Sequence, residues 1–158
     1  VAVGVGILKG IGIKRVPGAA LELVAEAEIT LNEGIVGDCR GSRLDATGSP
    51  RKRQVSLLSE QMWDAVCARV GREIPWQERR AALLIRGIMF DKEDIGRFIY
   101  IGSVVVLQIE KETVPCERMD DVCPGLQRAL EPSCYGGFCC RVLQGGPIRE
   151  NDTVRLGF

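Results

Sequence analysis

The stretch that most constrains this chain runs from Leu21 to Asn32. There Leu21, Leu23, Ala25, Ala27, Ile29 and Leu31 alternate with Glu22, Val24, Glu26, Glu28, Thr30 and Asn32. A two-residue period sends neighbouring side chains to opposite faces of an extended backbone, so the stretch predicts a half-buried β-strand. Similar signals lie at Gln54–Leu58, Val104–Glu110 and Phe138–Leu143, and Val154, Leu156 and Phe158 alternate with polar or small residues. Glycine takes 19 of 158 positions, well above its usual share of roughly 7%. Short strands cut by closely spaced turns predict a mainly β fold, a β-barrel with a few short helices.

Two helices interrupt this pattern. Ser59 suits an N-cap, Glu60 the first turn and Gly71 the stop, while Met62, Val66 and Val70 form one stripe; together they predict a helix over 60–70. A second, shorter one begins near Pro124, carries Leu126 and Leu130 on one face and ends before Pro132. The strand–helix alternation of a doubly wound sheet is missing, and the length predicts a single domain over 1–158. Gly41–Lys52, rich in small and charged residues, is expected to form a mobile loop.

Composition narrows the chemistry. The chain has no histidine, which excludes Ser-His-Asp and Cys-His nucleophilic machinery, His-ligated zinc and proximal-His haem. Lys plus Arg and Asp plus Glu both number 21, a balance that argues against a general nucleic-acid binder. The seven cysteines contain no C-x-x-C pair, so no structural metal is expected. The N-terminal VAVGVGILKG is apolar but broken by glycine and lacks a basic flank, and no run is long enough to span a membrane. The expectation is a cytoplasmic protein with reduced thiols and no membrane partner.

Two groups of residues stand out chemically. Cys116 follows Pro115 and the strand at 104–110, where the backbone leaves the sheet; Arg118 favours its thiolate and Glu117 opposes it. Most cysteines are small buried hydrophobes, so the residues alone make Cys116 a candidate. The second group is basic: Arg40 after Gly37-Asp38, then Arg51, Lys52 and Arg53, then Arg79 and Arg80. Guanidinium groups on loops either grip a phosphate or point to solvent, and Asp38 is expected to orient Arg40 rather than move protons. The pairs Gly136-Gly137 and Gly145-Gly146 suit tight turns or a close backbone approach. Asn151-Asp152 suits a hairpin or barrel-closing turn, and one of Cys139 and Cys140 is expected in the core.

Six blocks in order are similar to the MOSC domain, found at the C-terminus of molybdenum cofactor sulfurases and in small stand-alone proteins. They are GIVGDCR (34–40), RQVSLLS (53–59), R-x-x-LLIRG (80–87), IGSVVV (101–106), VPCERM (114–119) and RVLQGGPIRENDTV (141–154). The resemblance implies a pyruvate-kinase-like β-barrel and the molybdenum cofactor, a molybdenum dithiolene on a phosphorylated pterin. It places the family's cysteine at Cys116, as molybdenum ligand or persulfide carrier, both suited to a soft thiolate. It gives Arg40, Arg53, Arg80 and Arg118 to the cofactor. The chain departs from the pattern at Ala81 and Ala82, where relatives often carry Arg-Asn, and at Cys39, where His or Arg is common; two polar contacts to the cofactor are expected to be lost.

Three functions follow from the resemblance. The first is a molybdenum cofactor-dependent oxidoreductase that reduces a small substrate, such as an N-hydroxylated compound, with electrons from a protein donor. The second is a sulfur carrier loaded by a desulfurase. The third is a non-catalytic module that docks on, or delivers cofactor to, a partner molybdoenzyme. Each expects a partner protein, because the chain shows no flavin, haem or iron–sulfur motif and none of the domains that accompany larger relatives.

Overall fold

The computed structural model describes residues 4–41, 44, 46–49 and 53–158. Eleven strands and three α-helices alternate among them: β1 (Val5–Ile13), β2 (Glu22–Val24), β3 (Glu26–Thr30), β4 (Gly34–Ile35), β5 (Val55–Ser59), α1 (Glu60–Val70), β6 (Leu83–Arg86), β7 (Phe98–Ile101), β8 (Val105–Glu112), α2 (Arg118–Val122), α3 (Leu126–Leu130), β9 (Phe138–Gln144), β10 (Gly146–Arg149) and β11 (Thr153–Gly157). Much of the Gly41–Lys52 loop, with Arg51 and Lys52, lies outside the described residues.

Seven strands close a mixed barrel in the order β11-β7-β8-β9-β5-β6-β1, and β1 returns to β11 through the pairs Val5 with Arg155 and Ile7 with Thr153. β2 adds to β1, and β10-β3-β4 form a small second sheet. The turn at Asn151, left-handed at φ 72°, joins β10 to β11, and its amide donates to the Leu8 carbonyl at 2.8 Å, as expected for a barrel-closing turn. β5 and β6 run parallel, with Leu57 opposite Leu83. Parallel neighbours need a crossover rather than a hairpin, and α1 supplies it.

α1 occupies the range read from the sequence. The Ser59 hydroxyl accepts from the Met62 amide at 3.4 Å, and Gly71 ends the helix at φ 71°. The helix covers the outer face of β5 and β6, where Leu58 and Leu84 pack with Trp63, Val66, Met119, Leu126 and Leu130 from α1, α2 and α3. The inner faces of the same strands give Leu57, Leu83 and Ile85 to the barrel core beside Leu8, Ile101, Leu107 and Phe138. Burial on both faces explains the unbroken apolar run at Leu83–Ile85. Each fully buried large aliphatic side chain contributes roughly 1.5–3 kcal/mol.

The Leu21–Asn32 strand is corrected by the structure. It breaks at Ala25 into β2 and β3, which belong to different sheets. The inward side flips at the break: Val24 faces the core from β2, but Ala27 and Ile29 do so from β3, leaving Leu23 and Leu31 half exposed. A one-residue shift in a period-two element exchanges its faces, so the alternation in sequence outlasts the strand it suggests. The strands at 54–58, 104–110, 138–143 and 154–158 appear as β5, β8, β9 and β11, and the second helix as α3. Among the described residues no helix is long and apolar enough to cross a membrane.

Candidate functional site

Six loop segments converge outside β5 and β6. They are the end of β1 at Lys14, the loop after β4 at Asp38–Arg40, Arg53 before β5, the single-turn helix Trp76–Arg79 with Arg80 before β6, the loop from Thr113 to Arg118 after β8, and Gly136 before β9. Ser56 sits between them, on the same face of β5 as Leu58. Two shallow hollows of only about 10 Å³ each share Arg53 and Ser56 in their walls; Asp38, Arg40 and Ala82 line one, and Arg79, Arg80, Thr113 and Gly136 the other.

Asp38 anchors one side. Its carboxylate accepts from the Lys14 amide at 3.1 Å, the Arg40 amide at 2.8 Å, and Arg40 Nε and Nη2 at 3.0 and 2.7 Å. Burial pushes the Asp38 pKa up, but the Arg40 guanidinium and these amide donors outweigh it and hold the carboxyl below the usual aspartate range. Asp38 thus orients Arg40, as the sequence suggests. Arg40 also donates from Nη1 to the Arg80 carbonyl at 2.5 Å. Three of its five N–H donors are committed within the protein, leaving two for a ligand. Arg80 itself sits in the left-handed region at φ 66°, and its side chain is exposed.

Cations crowd this surface. Burial first, then the Arg80, Arg40 and Arg118 guanidiniums, lowers the pKa of Lys14. Arg53 in turn faces Arg79, a guanidinium that burial, followed by Arg53, pushes down to about 10. Arg53, Arg80, Arg118 and Lys14 make no ion pair among the described residues. Unpaired positive charge on converging loops suits a multiply charged anion.

Cys116 lies next to this surface. Arg79 Nε and Nη2 donate to the carbonyls of Gly136 at 3.1 Å and Thr113 at 2.9 Å, tying the Cys116 loop to the turn into β9. A Cβ on Gly136 would stand 2.4 Å from the Thr113 carbonyl oxygen, so only glycine allows that approach. Cys116 is exposed, whereas Cys123, Cys134, Cys139 and Cys140 are buried. Both members of the Cys139-Cys140 pair are enclosed: Cys140 in the barrel, Cys139 with its sulfur 3.2 Å from the Thr113 hydroxyl. All seven cysteines carry free thiols. No group of three or more Cys, Asp or Glu gathers as a metal cluster among the described residues.

The sequence-predicted residues Arg40, Arg53, Arg80, Arg118 and Cys116 therefore share one region of the surface. Ala81 and Ala82 are buried there, one against the helices and the other in the barrel. Lys14 and Ser56 were missed: Lys14 belongs to the site only because β1 ends there, and Ser56 reads as an ordinary strand residue. Arg79 and Arg80 are adjacent in sequence, and only the turn before β6 buries one and exposes the other. Two larger hollows, of about 600 and 610 Å³, lie elsewhere, one beside Glu26, Glu28, Pro147, Arg149 and Asp152 on the small sheet and the other beside Asp64, Cys67 and Ile74 at α1.

Comparison with solved structures agrees with this architecture. The YuaD protein of Bacillus subtilis superposes with a TM-score of 0.79 at 18% identity, covering 99% of this chain and 98% of its own. YiiM from Geobacillus stearothermophilus gives 0.63 at 16% identity, covering 99% of this chain and 76% of its own. YiiM from Escherichia coli gives 0.65 at 12% identity, covering 100% and 71%. These likenesses establish the fold. No curated protein sequence matches the chain. The MOSC domain matches residues 38–155, from the Asp38 anchor to β11, and the chain belongs to the MOSC domain family.

Proposed function

We propose that this protein binds a molybdenum cofactor at the surface formed by Arg40, Arg53, Arg80 and Arg118, with Cys116 as the protein's sulfur ligand or sulfur carrier. The observation that carries this reading is the placing of one exposed thiol beside Arg53, Arg80 and Arg118, which lack carboxylate partners among the described residues. The residues fit such a group in kind. The guanidiniums match a phosphate, and a lone cysteine suits a metal whose other soft ligands come from its own organic part. The two hollows are too small to enclose a pterin, so the cofactor would lie across the loops. The buried Ala81 and Ala82 offer it no polar side chain.

When bound, the cofactor supplies a redox-active metal able to reduce a small substrate. Arg53 and Arg80 would hold its phosphate, with Arg40 fixing the Arg80 backbone, and Cys116 would be the protein's ligand to the metal. Electrons would have to come from a partner protein. The exposure of Cys116 also favours a second reading: handing sulfur between a desulfurase and a molybdoenzyme needs a thiol that a partner can reach.

Metal and pterin analysis tests the first reading, on protein expressed in a host that makes the cofactor, with wild type beside Cys116→Ser. Near-stoichiometric molybdenum in the wild type, lost in the variant, is expected. Molybdenum absent from both overturns cofactor binding and leaves sulfur transfer or docking onto a molybdoenzyme.

A further inference from the structure

Among the described residues, Arg79 is the one buried cationic residue, at 7% exposure, and no carboxylate faces it. Its Nε and Nη2 donate to the Gly136 and Thr113 carbonyls, and Nη1 stands 3.9 Å from the Met119 sulfur. A buried charge served only by neutral acceptors is costly to keep. Arg53 adds to that cost by repulsion, because both guanidiniums border the hollow that also holds Arg80. The same guanidinium is the tie between the Cys116 loop and the turn at Gly136.

We infer that Arg79 couples anion binding to the Cys116 loop: an anion seated against Arg53 and Arg80 offsets the repulsion on the buried guanidinium, which then holds the Thr113 and Gly136 carbonyls more firmly and restrains the loop that presents Cys116. Arg79 is a positioning residue, acting through the backbone on either side of the hollow. The inference rests on the reading of Arg53 and Arg80 as phosphate-facing. It does not rest on molybdenum, so it and the metal analysis can fail independently.

The test uses inorganic phosphate as the anion and neutral iodoacetamide as the probe, at constant ionic strength. Alkylation of Cys116 is read by mass spectrometry of its own peptide, and phosphate binding by the melting temperature. Phosphate is expected to slow wild-type alkylation of Cys116 by about threefold or more, because the exposed thiol then sits on a loop held in one arrangement instead of sampling more reactive ones. Arg79→Lys keeps the charge but cannot bridge both carbonyls with one planar group. It should still melt higher with phosphate, while its Cys116 reacts faster than wild type and at a rate independent of phosphate. A phosphate effect retained in Arg79→Lys, phosphate binding lost from it, or no effect in the wild type overturns the inference. If Arg79→Lys fails to fold, amide hydrogen exchange over residues 113–119 of the wild type decides instead: phosphate should slow it, and unchanged exchange overturns the coupling.

Discussion

Arg40 grips Asp38 at two points, Nε to Oδ1 at 3.0 Å and Nη2 to Oδ2 at 2.7 Å, and extends its remaining arm to the Arg80 carbonyl. A loop after β4 thereby sets a turn before β6, and the pair holds the frame of the cationic surface.

Asp38→Asn removes the charge from this pair and should cost about 1–3 kcal/mol in urea unfolding. Its pH dependence has a definite sign. The folded carboxyl titrates below the usual aspartate range, so its contribution is complete at neutral pH and is lost as the pH falls through the lowered folded value. Wild type should therefore lose stability on acidification below roughly pH 4 more steeply than Asp38→Asn. Parallel slopes would show that the pair contributes no such linkage.

Arg80 holds a left-handed backbone that glycine adopts freely. Arg80→Gly should leave unfolding stability within about 1 kcal/mol of wild type, since relieved strain and the added freedom of the unfolded chain oppose each other. Its phosphate-induced rise in melting temperature should shrink. An undiminished rise would remove Arg80 from the anion surface.

Thiol reactivity should follow burial. Cys116 is exposed, Cys39 and Cys67 are partly covered, and burial pushes the Cys134 and Cys140 thiols up. With Ellman's reagent at pH 8, Cys116 should react first, while Cys123, Cys134, Cys139 and Cys140 stay unmodified until denaturant is added. Rapid native labelling of all seven would contradict the packing.

Gly6 lies in β1 against β6, and a Cβ there would stand 2.1 Å from the Arg86 carbonyl oxygen. Backbone cannot swing aside as a side chain can, so Gly6→Ala should destabilise the barrel by about 1–3 kcal/mol or more. Gly18→Ala, with nothing within 4 Å of its Cβ but a φ of 81°, controls for backbone strain alone and should cost less.

The residues by themselves determined the elements whose signals are local. α1 carries its start, stripe and stop within thirteen residues, Ser59 to Gly71, and β5, β8, β9 and β11 carry their own alternation. The six ordered blocks also placed the chain in its family. Tertiary structure decided the rest. β1 was not legible because Gly4, Gly6, Gly10 and Gly12 weaken a strand signal, yet in the barrel they admit close neighbours: a Cβ on Gly10 would stand 2.7 Å from the Trp76 ring. β6 was hidden in an apolar run that has no period because both of its faces are buried. Leu21–Asn32 broke in two because β1 and β10, distant in sequence, each claim a different part of it. At the site, the sequence supplied the residue types, a cysteine and several arginines. Which arginine is exposed, which is buried and which is spent on Asp38 depended on loops brought together by strand pairing, and no local pattern encodes those distances.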